Sequence, residues 1–435
     1  MLCINVFLMI TIKKLIQKNK ILLFLILILI ISFLIRTYSL GSENLWSDEA
    51  VTVYYANKSV SDNIKWSPTI GYFPLYHVIM SLWVKIFRIS EFSVRFLSVI
   101  FGTLSVYLTF LIGKFMFNKK VGIYSAIITA LSPFNVHYSQ EARLYTLFIL
   151  IALSSIYFYL KYIESAKNKH MVYYAIFTLL MLNLHSPSLF VLIFQNLHYF
   201  LFIRKNIKKW IFIQFFLFVL LIPLIWITTA NITNLSECST TQCLIVPKPD
   251  LVTLMRTFYI FSAGLTYELE PIVVGSVISA LFALLVFFVL LLEAKNIKNR
   301  IYSKLNKITF LLLWLGIPVL LLILQAYIYY SIYFERYIIV SSIALYMLVA
   351  LSISRLKYRF QLITIASIIV LSLSILYFDF ETQNKEEWKD VADYIKLNKH
   401  KEDAVVIHVH VAIYAFAYYY DPDCFKISEL PRIYT

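Results

Sequence analysis

The run Phe73–Ile89, FPLYHVIMSLWVKIFRI, sets the topology of the chain, because counting it as a membrane span reverses the side of everything after it. Crossing about 30 Å of hydrocarbon takes roughly 20 apolar residues of helix. This run is shorter, opens on Pro74, and is interrupted by His77, Lys85 and Arg88. Such a pattern suits an amphipathic helix lying in the interface. Eleven longer apolar runs surround it, near residues 21–38, 92–116, 121–138, 143–160, 171–186, 187–203, 210–230, 271–292, 308–330, 336–353 and 361–378.

Cytoplasmic loops collect Lys and Arg, so charge can arbitrate. With Phe73–Ile89 on the external interface, every strongly basic loop falls on the cytoplasmic side. These are Lys13–Lys20, Lys114–Lys120, Lys161–Lys169, Arg204–Lys209, Lys295–Lys307 and Arg355–Arg359. That side then holds 22 of the 39 basic residues, against only Glu164 and Glu293 of the 24 acidic ones. An odd number of spans leaves the N-terminus inside and the tail outside, in a plasma-membrane protein.

The expected fold class is therefore an all-α polytopic membrane protein with about eleven transmembrane helices. Residues 1–20 are a cytoplasmic N-terminus and residues 21–378 the transmembrane domain. Residues 39–91 form a first external loop carrying an interfacial helix, and residues 379–435 a small α/β tail outside the cell.

Composition points the same way: the 435 residues are 60% hydrophobic and only 14% charged, with a mean hydropathy of +0.77. These values lie far from the soluble balance. The formal charge of +15 is explained by the inner loops and so does not mark a nucleic-acid partner. With 8 glycines and no glycine-rich phosphate loop, no nucleotide cofactor is expected. Cys3, Cys238, Cys243 and Cys424 show no Cys-x-x-Cys pairing of the kind that closes a zinc site. Lysines precede the first apolar run as in a signal peptide, but no small-residue cleavage site follows, and an uncleaved span is expected.

The loop Asn231–Arg256 holds Cys238 and Cys243, spaced for either a small disulfide or two free thiols. Asn57, Asn231 and Asn234 open outward-facing sequons. In the tail, Trp388, Val391, Ala392 and Ile395 share one face of a helix over 385–397. A β-rich run at 404–409, an aromatic helix at 412–420 and a strand at 424–427 follow. His408 and His410 alternate onto one strand face, where packing or surface roles are commoner than metal binding.

The spans carry no Asp, Glu, Lys or Arg away from their ends, unlike those of ion-coupled transporters. The polar residues gather instead in three clusters at the outer ends. Asp48 and Glu49 follow Trp46 in a loop, and read either as solvated charges or as a carboxylate tuned to act as a base. Glu141 and Arg143 sit beside His137 and Tyr138, either ending two helices or facing a sugar or phosphate. Arg336 sits between Glu335 and Tyr337, and either snorkels or neutralises a phosphate. His185, in a short external turn, is either polar surface or part of that third cluster.

Several motifs extend the reading. Arg36, Trp46-Ser47-Asp48-Glu49, Pro74-Leu75-Tyr76, Arg95 and above all Tyr138-Ser139-Gln140-Glu141-Ala142-Arg143-Leu144-Tyr145 form one set. Together with Arg336-Tyr337 and Trp388-Lys389-Asp390-Val391-Ala392, they resemble the bacterial and archaeal relatives of dolichyl-phosphate-mannose protein mannosyltransferases, a group that includes aminoarabinose-transferase-like proteins. The resemblance runs from about residue 20 to 420. It departs from the family at Tyr72-Phe73-Pro74, where members often carry His-Pro-Pro before Leu-Tyr, and in the shortness of the tail.

That resemblance implies the GT-C glycosyltransferase fold and transfer of a sugar from a polyprenyl-phosphate donor, with inversion, on the outer face of the membrane. It implies Asp48 as catalytic base, Glu141 as second acidic residue, and Arg336, with Arg143 and His185, as donor-phosphate ligands. Glu49, Tyr138, Gln140 and Tyr337 would support them. A divalent metal ion, if used, would fall to Glu49 and Glu141. The acceptor is a protein, a glycolipid or an envelope polymer. A lipid or sugar flippase and a scaffold protein are the rival readings.

Overall fold

The structure, a computed structural model, describes residues 2–66, 73–235, 246–266, 268–297, 307–329, 331–382, 385–400, 402–409, 411–422 and 433–434. Side chains are described within these, except at 2–19, 65–66, 223–235, 294–297 and 433–434. Cys238, Cys243, Cys424, Tyr72 and His410 lie outside the described residues. So does the expected strand at 424–427.

In chain order, the helices begin with α1 (Leu2–Thr37), α2 (Ser47–Ala56), α3 (Val60–Trp66), α4 (Pro74–Phe87), α5 (Glu91–Met116) and α6 (Lys119–Leu131). There follow α7 (Pro133–Ser139), α8 (Tyr145–Ser165), α9 (Asn168–Leu182), α10 (Ser188–His198), α11 (Ile207–Leu235) and α12 (Leu251–Ala263). The series ends with α13 (Leu269–Ile297), α14 (Lys307–Ile328), α15 (Ile339–Arg355), α16 (Tyr358–Glu381), α17 (Trp388–Asn398) and α18 (Ala412–Tyr420). Strand β1 (Val405–Val406) pairs antiparallel with β2 (Ile433–Tyr434).

Among the described residues, seven helices are long and apolar enough to cross a membrane: α1, α5, α8, α13, α14, the run Glu335–Arg355 containing α15, and α16. The other four expected spans are also helical. Residues 121–138 are split into α6 and α7, because Pro133 has no N–H to continue the ladder; Ser132 caps the second piece and Pro133 takes its first turn. Residues 187–203 pass from α10 into a π-helical turn, Tyr199–Ile203. Helix α9 is only 15 residues long, and α11 outruns its expected limits at both ends.

Other expectations need correcting. Helix α1 begins at Leu2, so the stretch expected as a cytoplasmic N-terminus is continuous in helix with the first span. The loop Asn231–Arg256 is partly helical, in the end of α11 and in α12, whose start is fixed by an Asp250–Thr253 capping box. The segment between α1 and α5 carries α2 and α3 ahead of α4, so Asp48 and Glu49 stand in a helix, not a loop. The expected strand at 404–409 shrinks to Val405–Val406. Val391 is exposed, so only Ala392 of the expected tail-helix face is fully buried.

Helix α15 is the central pillar, with 89% of its apolar window buried against 22% for α1. It packs against α6, α8, α13, α14 and α16. Its polar groups are satisfied internally, as a low-dielectric interior requires. Tyr346 Oη donates to the Phe261 carbonyl at 2.8 Å and meets Ser132 Oγ at 2.7 Å. Helices α1, α11, α13, α14 and α16 turn large apolar side chains outward. Between α5 and α6 the backbones touch at glycines: a Cβ on Gly122 would lie 2.7 Å from the Phe110 carbonyl oxygen.

Candidate active site

Asp48 occupies the first turn of α2. Successive helix residues point about 100° apart, so Asp48 and its neighbour Glu49 enter different environments. Glu49 is fully buried. Arg95 grips both its oxygens, at 2.9 and 2.8 Å, and the Ala142 N–H donates to Oε1 at 2.8 Å. Lys385 from the tail stands 3.4 Å away. Burial pushes the Glu49 carboxyl up, but the charges of Lys385 and Arg95 and these hydrogen bonds outweigh it and hold it down at about 2.

Asp48 is 23% exposed and meets Arg143 Nη2 at 3.3 Å. Arg143 Nη1 also donates to the Asp48 carbonyl at 3.1 Å and to Thr52 Oγ1 at 3.3 Å. Glu141 points elsewhere: its Oε1 lies 3.4 Å from His137 Nε2, while its Oε2 is buried without a hydrogen-bond partner. The turn between α7 and α8 thus sends Arg143 to Asp48 and Glu141 toward His137.

Arg336 lies in a one-turn 3-10 helix, Glu335–Ile338, at the head of α15. Its guanidinium is framed by the rings of Phe334, Tyr337 and Tyr145, at 4.6, 5.6 and 5.9 Å. The Arg143 guanidinium approaches the same Tyr145 ring at 6.0 Å. His185 completes the group, its ring 4.8 Å from Tyr337 and 6.2 Å from Tyr145, with Nδ1 buried and unpartnered. Tyr138 packs on Tyr145 with ring centroids 5.0 Å apart. Among the described residues no carboxylate lies within ion-pair distance of Arg336; Glu335 turns instead to Arg256, at 3.9 Å.

Asp48, Arg143, Tyr145, His185, Tyr337 and Arg336 therefore form one contiguous set, with Tyr138 beside it. Glu49 and Gln140 serve a different purpose. Gln140 Nε2 donates to the Tyr38 carbonyl at 2.8 Å and fastens the exit of α1. As a metal ligand Glu49 is a poor fit, because its oxygens already face two cations and an amide. Among the described residues, no group of three His, Cys, Asp or Glu side chains is placed to hold a metal ion.

Two residues noted only for their motifs prove important. Arg95 donates to the Leu40, Glu43 and Asn44 carbonyls as well as to Glu49, and so shapes the approach to α2. Arg36 donates to the Thr129 and Ala130 carbonyls at 3.1 and 2.8 Å, where Pro133 breaks the ladder. His77 is buried in α4; burial, with the Arg143 charge nearby, pushes it down to about 3, so it is neutral. Beside this set lies a cavity of about 250 Å³ whose walls include Glu43, His137, Gln140, Asp379 and Lys385. Asp48, Arg143 and Arg336 do not line it.

The overall fold is similar to that of solved structures. ArnT from Cupriavidus metallidurans, in the apo state, superposes with a TM-score of 0.58 over 92% of this chain and 84% of its own, at 12% identity. The fold is GT-C. The same protein bound to undecaprenyl phosphate gives a TM-score of 0.55 at 13% identity, with the same coverage. An Archaeoglobus fulgidus oligosaccharyltransferase tethered to an acceptor peptide also gives 0.55, at 15% identity. That match covers 88% of this chain, which spans only 58% of the oligosaccharyltransferase.

By sequence, residues 68–227 match the family described as dolichyl-phosphate-mannose-protein mannosyltransferase. No curated protein matches the chain by sequence. The GT-C helices and the seven apolar spans make this a membrane-embedded protein.

Proposed function

We propose that the protein is a membrane glycosyltransferase that moves a sugar from a polyprenyl-phosphate donor to an acceptor on the outer face of the membrane. The observation that carries this reading is Arg336. A guanidinium stays charged at any accessible pH, and here its Nε is buried without a hydrogen-bond partner, in an aromatic frame and with no acidic counter-ion among the described residues. A phosphate monoanion or dianion supplies the missing charge and fits the planar donor fork. Two structural neighbours bind ligands of this chemistry, one undecaprenyl phosphate and the other a dolichol phosphate.

In the proposed reaction an acceptor hydroxyl or amine attacks the anomeric carbon as its proton passes to the Asp48 carboxylate. The bond from that carbon to the phosphate oxygen breaks, and its electron pair leaves with the polyprenyl phosphate. Phosphate departs readily, so no general acid is needed, in contrast to glycosidases with their carboxyl pair. Arg336 offsets the charge that develops on the departing phosphate. Arg143, paired with Asp48 and near the Tyr145 ring, would orient the base and respond to an arriving phosphate. His185 lies close enough to the same rings to join as a hydrogen-bond partner. Attack opposite the leaving phosphate inverts the sugar centre.

The test is transfer of label from a polyprenyl-phosphate sugar by the full chain in proteoliposomes, against Asp48→Asn and Arg336→Ala. Asp48→Asn should abolish product while donor binding persists, and Arg336→Ala should raise the donor concentration needed. Near-normal turnover by Asp48→Asn would sink the base assignment. Label that crosses the bilayer without forming a glycosidic product would instead identify a flippase.

A further inference from the structure

The helix that carries Asp48 has no side-chain cap at its own N-cap residue, Trp46. Helix N-termini leave four N–H groups in need of acceptors. The missing acceptor comes from the tail, more than three hundred residues away in sequence. Glu386 Oε2 accepts from the Ser47 N–H at 3.1 Å and from Ser47 Oγ at 2.6 Å. Its negative charge also suits the positive end of the helix dipole. The Trp388 Nε1–H donates to the same oxygen and fixes its position.

The preceding tail residue acts on the other side of Asp48. Lys385, with a side chain only 8% exposed, reaches the Glu49 carboxylate at 3.4 Å. It also donates to the Gln140 carbonyl at 3.0 Å, next to Glu141. One dipeptide thus holds both sequence neighbours of Asp48 and ties α2 to the turn that presents Glu141 and Arg143. Helix α18 adds to the grip: Tyr419 Oη accepts from the Leu45 N–H at 2.7 Å and donates to Glu91 at 3.0 Å.

We infer that Lys385 and Glu386 are positioning residues for the Asp48-centred reaction, and that the extramembrane tail is a working part of the active site. Neither residue belongs to the set around Arg336, so they act through α2 and not on the donor phosphate. This inference rests on the transferase reading for its kinetic consequence, but its structural content is independent of it.

The experiment uses the full-length chain in proteoliposomes, with a polyprenyl-phosphate sugar as donor, and follows both turnover and amide hydrogen exchange. Lys385→Met and Glu386→Ala should each lower turnover by about 10- to 100-fold, the order expected when a reacting group shifts by an ångström. The KM for donor should stay within about twofold. Lys385→Arg and Glu386→Gln, which keep the cation and the acceptor, should restore most of the turnover. Exchange at residues 45–56 should quicken in Lys385→Met and Glu386→Ala while α15 stays protected.

Turnover and α2 exchange like those of the unaltered protein would overturn the inference. So would equal losses in the conservative pair, or exchange that rises throughout α15, since either marks general unfolding. If the unaltered chain forms no product, the transferase reading fails, and exchange at residues 45–56 still decides whether the tail holds Asp48.

Discussion

Two adjacent carboxylates, Asp48 and Glu49, divide into a reacting group and a structural anchor. Glu49 is fully buried against Arg95 and Lys385, and removing one partner of such a pair leaves the other charge stranded. Glu49→Gln should cost about 3–5 kcal/mol of stability, read as a lowered unfolding temperature in detergent, whereas Asp48→Asn should unfold close to the unaltered protein. Acid adds a second check. The Glu49 carboxyl is held near 2 against an ordinary 4.5. Its contribution is therefore complete above about pH 4.5 and lost as pH falls toward 2. Stability of the unaltered protein should drop across that window, and Glu49→Gln should flatten the drop. A drop of equal steepness in both proteins would assign the acid sensitivity to other groups.

Among the elements, the break between α6 and α7 does most to build the site. Pro133 ends the hydrogen-bond ladder, and α7 ends at the turn that presents Glu141 and Arg143. The carbonyls freed by the break, Thr129 and Ala130, are satisfied by Arg36 from α1. Hydrogen bonds to charged groups contribute about 1.5–3 kcal/mol each, so Arg36→Met should destabilise by about 3 kcal/mol or more. Gly102 makes room for this crossing, because a Cβ there would lie 2.3 Å from Ser139 Oγ and 3.1 Å from Arg36 Nε. Gly102→Ala should cost about 1–3 kcal/mol through overpacking. Thermal unfolding of both variants checks the pair, and an unchanged midpoint for either removes the crossing from the account.

Across the whole molecule, the asymmetry of charge predicts the orientation of every element. In a background without the four cysteines, Ser42→Cys should react with an impermeant maleimide on intact cells. Lys120→Cys should react only after permeabilisation. Labelling of both from one side would reverse the placement of α4 at the interface and return Phe73–Ile89 to the list of spans.

Much of the architecture was legible in composition and pattern. Apolar runs of membrane-spanning length mark α1, α5, α8, α13, α14, α15 and α16, because hydrocarbon tolerates little else. The motif Tyr138–Tyr145 also revealed the central turn. Helices α2 and α12 escaped notice because they are short, and short helices depend on packing more than on propensity. The roles of Glu49, Gln140, Arg36 and Lys385 were hidden for a related reason. A charged side chain declares its chemistry in the sequence, but its partner is chosen by tertiary contact. Asp48 and Glu49 read alike as letters; only the helix that turns one toward Arg143 and the other toward Arg95 and Lys385 makes them different.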